Sequence, residues 1–471
     1  MKLKMLVVLI LGVLFFSLIA TGISAMDYET KNVNVRDYTE HEPIKIDSNS
    51  EFNPLHGVVS GSGTVDDPYI ISGWKIDGHN SSKNAIYIGN TTAYFIIENC
   101  YLYNTSEVTS IYNRGAGVYL YKVIHGIVRS NVMEDIGGIG VDLYQSSYNS
   151  INYNLIFQTT YTRDFTGITP SQSDNNTFNG NVIRNAHTGI MVSTSSNNTF
   201  SNNVIYHSKY NGITLYADSN YNLVINNSIT HNNEGIYIYW GANNNTVKGN
   251  FIANNTGYGI EINDLSQIST NNKVIKNIFY YNNGSSDYYD SSTVQASDSA
   301  TKNYWYAVNQ GYGNYWREWA NNNATNDQDD DGIVDWVYQI DGSSGKSDKF
   351  PLKYTVPGPP QELVALTGSG FVNLSWKVPI GDGGKQITSY NIYRNGTLIA
   401  TVSGTQLYYN DTNVLGDVTY QYYVVAVNEE GEGLHSNYVQ ATPGTVIPEF
   451  TPLIGLSLVA IIAVIAIYRK I

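Results

Sequence analysis

Seven times between residues 117 and 260 a glycine is followed by a β-branched residue and then by alternating side chains, as in Gly235-Ile236-Tyr237-Ile238-Tyr239 and Gly259-Ile260-Glu261-Ile262-Asn263. A period of two predicts strands, and no stripe of helical period fits. The marks Gly117-Val118, Gly140-Val141, Gly167-Ile168, Gly189-Ile190, Gly212-Ile213, Gly235-Ile236 and Gly259-Ile260 are 22 to 27 residues apart. A second mark runs in phase, an Asn two residues before a large apolar side chain: Asn131/Met133, Asn154/Ile156, Asn181/Ile183, Asn203/Ile205, Asn227/Ile229 and Asn250/Ile252. Two registers repeating together predict a solenoid of stacked strand coils. The Asn-rich stretches between strands suit tight corners, because Asn tolerates left-handed backbone, and stacked Asn side chains can bond to one another as a ladder. Such a rod offers a long flat wall to its ligands.

Over residues 57–352 these repeats resemble the right-handed parallel β-helix family, especially NosD-type copper-binding β-helix proteins and their archaeal surface relatives. The resemblance takes in the entry motif Gly61-Ser62-Gly63-Thr64 with Asp67-Pro68-Tyr69-Ile70-Ile71 and Trp74-Lys75-Ile76-Asp77, and the exit motif Asn314-Tyr315-Trp316. The strand grammar changes after Thr355-Val356-Pro357-Gly358-Pro359-Pro360, a linker and boundary. The segment beyond it resembles a fibronectin type III domain, with Trp376 as its core tryptophan and Tyr420 in the place of the corner tyrosine. The expected fold class is therefore all-β: a right-handed parallel β-helix solenoid, then a fibronectin type III β-sandwich, then a C-terminal transmembrane helix. The expected boundaries are a signal peptide at 1–25, a lead-in cap at 26–56, the β-helix at 57–300, and its C-terminal cap at 301–355. The sandwich follows at 356–444, with a linker and anchor at 445–471.

Composition narrows the setting. A net charge of −14 argues against nucleic acid as a partner. Lys2 and Lys4, an apolar run to Ala20 and the small residues Ser24 and Ala25 read as a secretory signal. Leu453 to Tyr468 is apolar and is followed by Arg469-Lys470, the pattern of an anchor with the bulk of the chain outside the cell. With Pro448-Glu449-Phe450 it also resembles archaeal PEF-type sorting segments. The single cysteine, Cys100, cannot form an internal disulfide, and in the repeat it aligns with Val132, Leu155, Val182 and Val204, a packing position.

Candidate chemistry falls in four places. Asp327-Gln328-Asp329-Asp330-Asp331-Gly332-Ile333-Val334-Asp335 crowds hard oxygen ligands, and resembles a short calcium loop with Asp327, Asp329, Asp331, the Ile333 carbonyl and Asp335 as ligands. Position 12 of such a loop is Tyr338 where a Glu is usual, and Asp341 is a possible substitute. A structural calcium ion locking the cap of the rod is the expectation. On the strands after each glycine the outward side chains include Tyr119, Tyr121, Asp142, Tyr144, Tyr216, Tyr237, Tyr239 and Glu261, the composition of a carbohydrate-binding track. Tyr also simply favours strands, so a structural reading stands beside it. Glycoside hydrolysis needs a carboxyl pair at close range, and the best candidates by repeat position are Asp218 and Asp264; Arg163 beside Asp164 is a hint of lyase chemistry. The copper implied by the NosD resemblance would fall to His207 and His231, which share a repeat position that flanking coils fill with Asn185 and Asn254. The combined expectation is an exported, membrane-anchored surface protein that binds glycan or envelope components along the solenoid wall. The alternatives are a polysaccharide hydrolase or lyase on the same face, and a structural envelope component. The fibronectin type III domain is expected to space the rod from the membrane or to bind protein partners.

Overall fold

A computed structural model describes residues 38–78, 84–106, 114–159, 164–264, 267–290, 292–323 and 326–445. The expected signal peptide and C-terminal anchor, with Arg163, lie outside the described residues. Among the described residues no helix is long and apolar enough to cross a membrane.

The repeat folds into three parallel sheets that wind around one core. Each coil contributes one strand to each: Val118–Val123 to sheet 2, Gly126–Arg129 to sheet 3, Val132–Glu134 to sheet 1, and Ile139–Tyr144 to sheet 2 again. Sheet 1 has eleven strands, and sheets 2 and 3 have ten each; the end strand of sheet 3, Val58–Ser60, is the exception to the parallel order and pairs antiparallel with Tyr69–Ser72. Coils stack in strict register, so Met133, Ile156, Ile183, Ile205 and Ile229 form one column and Val118, Val141, Ile168, Ile190 and Ile213 another. All of these are fully buried.

The glycine mark has a steric cause. A Cβ on Gly189 would stand 2.4 Å from Ile205 Cγ2 and 2.5 Å from the Gly212 carbonyl oxygen, and one on Gly212 would stand 2.4 Å from Ile229 Cγ2 and 2.7 Å from the Gly235 carbonyl. The glycine therefore lets the corner between sheets 1 and 2 close onto the next coil. Its backbone is not left-handed.

The Asn mark is a ladder. Asn131, Asn154, Asn181, Asn203, Asn227, Asn250, Asn277 and Asn314 stack between sheets 3 and 1. Each side-chain oxygen accepts the backbone N–H and one amide N–H of the preceding rung, at 2.9–3.1 Å. A second ladder, Asn149, Asn176, Asn198, Asn222, Asn245, Asn272 and Asn303, lines the corner between sheets 2 and 3. A third runs Asn232, Asn255, Asn282 and Gln295. The residue before a rung is commonly left-handed, as at Asn202, Asn226, Asn197 and His231, and turns the chain inward. The first two ladders end on buried carboxylates. Asp348 Oδ2 accepts from Asn314 N at 2.7 Å and Asp298 Oδ1 from Asn303 Nδ2 at 3.1 Å, so the last donors find acceptors. Burial pushes Asp348 up to about 6, although it also accepts from Trp316 Nε1 and Phe350 N.

Cys100 corrects the expected alignment by one position. It occupies a rung, with its N–H on Asn131 Oδ1 at 3.0 Å, whereas Tyr101 pairs with Val132. Burial pushes its thiol up to about 12, which fits a packing side chain.

Residues from Gln361 to Ala441 form a sandwich of a three-stranded and a five-stranded antiparallel sheet. Trp376 is in its core against Tyr390, and the Tyr420 hydroxyl accepts the Leu415 N–H at 3.0 Å, the expected corner. This unit does not project away from the solenoid as a spacer would. It lies back along sheet 1, whose outward side chains Phe251, Ile278, Tyr280 and Tyr315 are buried with Val356, Ile380 and Leu434 packed against them. Gly383 N donates to the Tyr280 hydroxyl at 3.0 Å, and Tyr438 meets Tyr153 edge to face at 4.9 Å. An apolar outer face requires a cover, and the sandwich supplies it.

Candidate functional site

The outer face of sheet 2 carries two columns. In one, Tyr119, Asp142 and Thr169 follow each other in register, with Met191, Thr214, Tyr237 and Glu261 further along. In the other, Tyr121, Tyr144, Ser171, Ser193 and Tyr216 are in register, and Tyr216 stacks on Tyr239 at 5.5 Å. The expected outward set is thus brought onto one face.

Its exposure is uneven. Tyr119 and Asp142 are 1% and 0% exposed, so neither can meet a ligand as placed. Asp142 lies under Arg114, whose Nε donates to Oδ2 at 2.6 Å. Burial pushes the Asp142 carboxyl up to about 6 while the guanidinium opposes that shift. Tyr121 is nearly closed, whereas Tyr144, Ser171, Ser193, Tyr216, Tyr237, Tyr239 and Glu261 are half-buried. The open column therefore has a stacked tyrosine pair at either end, Tyr121–Tyr144 with rings 4° from parallel and Tyr216–Tyr239 at 11°. Only the small hydroxyl rungs Ser171 and Ser193 lie between. Tyr144 and Tyr216 are three coil steps apart, about 14 Å at the spacing of adjacent strands. The result is a trough floored by hydroxyls and bounded by flat apolar rings.

At the far end of this face the structure brings together a carboxylate pair that the sequence reasoning missed. Glu234 precedes the mark Gly235 and bends across to the next coil, where a Cβ on Gly257 would stand 2.2 Å from its Oε1. Burial, and then the neighbouring Glu261, push its carboxyl up to about 8, with the Tyr258 N–H opposing. Its Oε2 is buried without a hydrogen-bond partner. Glu261 is also raised by burial, and its Oε1 accepts from Asn263 Nδ2 at 3.2 Å. Tyr237, in register with Glu261, is pushed up to about 12 by burial and the Glu261 charge. The signal available in the sequence was two acids on consecutive coils, but only the fold shows that Glu234 reaches its neighbour.

Asp218 and Asp264 are both exposed, and Asp218 sits at a left-handed turn after Tyr216, where its carboxylate faces Gly241. Asp164 is also exposed and meets His187 Nε2 at 3.2 Å.

In the cap, Asp327, Asp329 and Asp331 offer carboxylate oxygens that all lie within 4.8 Å of one another. Asp327 accepts the N–H groups of Asp331 and Gly332 and meets Lys353 Nζ at 3.0 Å. Asp335 is exposed and accepts the Gln328 N–H at 3.0 Å, and the Ile333 segment pairs with Leu352. The loop folds back on itself, with the Asp327 carboxylate bound to the Lys353 ammonium group. Tyr338 is part of the cap core, stacked on Trp316 at 3.9 Å, and Asp341 accepts the Tyr258 hydroxyl at 3.0 Å.

His207 and His231 do lie side by side on consecutive coils, ring centroids 5.3 Å apart and edge to face, at left-handed corners like Asn185 and Asn254. Among the described residues the Asp327 trio is the group of three His, Cys, Asp or Glu side chains placed to hold a metal, and the two imidazoles belong to no such group.

Residues 166–328 match the family model described as right handed beta helix region, and residues 358–442 match that of the fibronectin type III domain. An amylopullulanase of Thermoanaerobacter thermohydrosulfuricus is 38% identical over 117 residues, which is 24% of this chain and 8% of the relative. An amylopullulanase of Thermoanaerobacterium saccharolyticum is 37% identical over 84 residues, 16% of this chain and 6% of the relative. Titin of Drosophila melanogaster is 38% identical over 88 residues, 17% of this chain. The chain thus spans under a tenth of the length of these relatives. Among solved structures, a fibronectin type III-like protein from Clostridium thermocellum is 30% identical, covering 20% of this chain and 99% of that one, with a TM-score of 0.17.

Proposed function

We propose that this chain, a right-handed β-helix joined to a fibronectin type III domain, is an exported surface protein that binds glycan chains along sheet 2. The observation that carries the reading is the open column, in which the stacked pairs Tyr121–Tyr144 and Tyr216–Tyr239 bracket Ser171 and Ser193. Tyrosine faces can stack on the C–H faces of sugars, and the hydroxyls between can bond to theirs. The bracketed ~14 Å suits a segment of two or three sugars at the rung spacing of the sheet. The amylopullulanase names among the relatives are in keeping with a carbohydrate setting. Calcium held by Asp327, Asp329, Asp331, the Ile333 carbonyl and Asp335 belongs to the same reading as a structural ion of the cap. Anchoring by residues 445–471 completes it, with the fibronectin type III domain open to protein partners on its outer face.

The test is retention of the intact protein on a panel of immobilised polysaccharides, with released fragments scored in the same run. Retention that falls at least tenfold in Tyr216→Ala and Tyr239→Ala supports the trough. Retention unchanged in both sinks it. A hydrolase reading has one specific observation in its favour, the Glu234–Glu261 pair, since a carboxyl that burial and a neighbouring acid push up to about 8 keeps its proton near neutrality, as general acid catalysis requires. Fragments released by the wild type and abolished by Glu234→Gln would replace the binding reading with that one.

A further inference from the structure

Each coil turns from sheet 2 into sheet 3 at a left-handed residue just before a rung of the second ladder. Tyr148, Asn175, Asn197, Tyr221, Asn244 and Asn271 hold that place, with φ between 56° and 60°. Because Tyr148 and Tyr221 adopt the same backbone, the turn does not by itself demand Asn. The ladder does not demand it either. Among the described residues the side-chain amides of Asn175, Asn197 and Asn244 take part in no hydrogen bond, whereas the rungs beside them, Asn176, Asn198 and Asn245, are bonded and buried. Asn175 and Asn197 are exposed, and Asn244 is half-buried.

Two residues after each of these three Asn stands a threonine: Asn175-Asn176-Thr177, Asn197-Asn198-Thr199 and Asn244-Asn245-Thr246. Each threonine opens a strand of sheet 3, with Thr177 exposed and Thr199 and Thr246 half-buried. The same strand position holds Leu223 and Lys273 in neighbouring coils, so the hydroxyl is no requirement of the fold. An Asn with Ser or Thr at the second place after it, and no proline between, is the acceptor for N-linked glycan in exported chains. The solenoid sets three such acceptors in one column.

The other two edges of the rod treat the same triplet differently. Asn226-Asn227-Ser228, between sheets 3 and 1, lines a cleft shared with Glu432 and His435 of the sandwich, and Ser228 is buried. Asn254-Asn255-Thr256, between sheets 1 and 2, has its amide on His231 Nε2 at 3.3 Å and the Thr256 hydroxyl on Asn233 Oδ1 at 3.2 Å. The corner between sheets 2 and 3 is the one edge that does not border sheet 1, the face the sandwich covers. Bulk added there meets solvent.

We propose that this corner is a glycosylated edge, with N-linked oligosaccharide on Asn175, Asn197 and Asn244. The donor is a polyprenyl-phosphate-linked oligosaccharide: the bond from its anomeric carbon to the phosphate oxygen breaks, that carbon joins Nδ2, and the amide proton leaves with the phosphate. Nothing is oxidised or reduced. The assignment rests on the exported reading, because this transfer acts on chains that have crossed the membrane.

The experiment is peptide mass spectrometry on the full-length protein purified from the cells that make it, with external protease applied to intact cells in parallel. Trypsin leaves Asn175 as the one acceptor on residues 164–184, Asn197 as the one on residues 185–209, and Asn226 with Asn244 on residues 210–248. The expected result is an oligosaccharide mass on Asn175, Asn197 and Asn244 and none on Asn226. Thr177→Val should erase the mass at Asn175 and Thr177→Ser should keep it, with Asn197 still modified in both as the control for export and folding. Bare Asn175 and Asn197 in a chain that the protease reaches would overturn the proposal and leave export standing. Bare peptides in a chain that it does not reach would overturn both. A mass on Asn175 that survives Thr177→Val would mean attachment by another chemistry, and one on Asn226 equal to that on Asn244 would remove the role of the edge; either overturns the assignment.

Discussion

Replacing Asn227 with Leu tests whether the amide ladder holds the coils together. Leucine has nearly the outline of asparagine, so the change removes hydrogen bonds without opening a cavity. Asn227 is fully buried, and its Oδ1 accepts both Asn203 N and Asn203 Nδ2 at 2.9 Å. Its Nδ2 donates to the Phe200 carbonyl and to Asn250 Oδ1, also at 2.9 Å. In Asn227→Leu two donors of Asn203 lose their acceptor in a place closed to water. Orphaned buried donors cost about 1–3 kcal/mol each, so the expected loss is about 4 kcal/mol. In a solenoid the loss concentrates on neighbouring coils, because each repeat touches only the next. Hydrogen exchange in the native state reads this locally: amides between about residues 198 and 255 should exchange roughly a thousandfold faster, since each 1.4 kcal/mol is a factor of ten. Asn152→Ala is the control, a part-exposed Asn outside the ladder whose Nδ2 reaches only Ser150 Oγ. An Asn227→Leu protein that exchanges no faster than Asn152→Ala would refute the argument and leave apolar packing as the main support of the coils.

Three further outcomes are expected. Gly189→Ala forces a Cβ to 2.4 Å from Ile205 Cγ2, and should lower stability by about 1–3 kcal/mol in urea unfolding, as overpacked cores do; a neutral result would mean that the corner has slack. The Glu234 carboxyl, at about 8 when folded against an ordinary 4.5, binds a proton that the unfolded chain releases earlier, so it favours the fold at low pH and that contribution is lost as pH rises through 8. The midpoint should therefore fall between pH 6 and pH 9, and fall less in Glu234→Gln; parallel curves would refute the shift. Calcium at a hundred times its Kd should add about 2.7 kcal/mol of stability that chelator reverses and Asp329→Asn abolishes, and no change at millimolar calcium would exclude the loop as a site.

How far the sequence could be read depended on whether a residue's role repeats. The glycine and Asn marks recur because each coil meets the next in the same way, so strands, corners and ladder were legible from spacing. Cys100 was misplaced by one position because its coil has no Gly-β-branched mark to fix the register, and Asn99 turns out to be the left-handed corner residue before the rung. Glu234 escaped notice because its side chain acts across the coil boundary onto Gly257, a relation that spacing along one coil does not encode. The docking of the sandwich had a faint signal. Leu155-Ile156-Phe157, Phe251-Ile252-Ala253 and Ile278-Phe279-Tyr280 are apolar on both sides of the strand, the mark of a sheet covered on both faces.

The sandwich touches the rod at two places that lie several coils apart, Tyr438 on Tyr153 and Gly383 on Tyr280. Identical rungs make a solenoid easy to lengthen or shorten by a whole coil, since any coil fits on any other. Here, one coil added between Tyr153 and Tyr280 would move one contact about 4.8 Å from the other, and the rigid sandwich could no longer reach both. The folded-back domain thus acts as a ruler. It ties the number of coils between those tyrosines to its own length, and a relative that gains or loses a coil there would have to give up one of the two contacts.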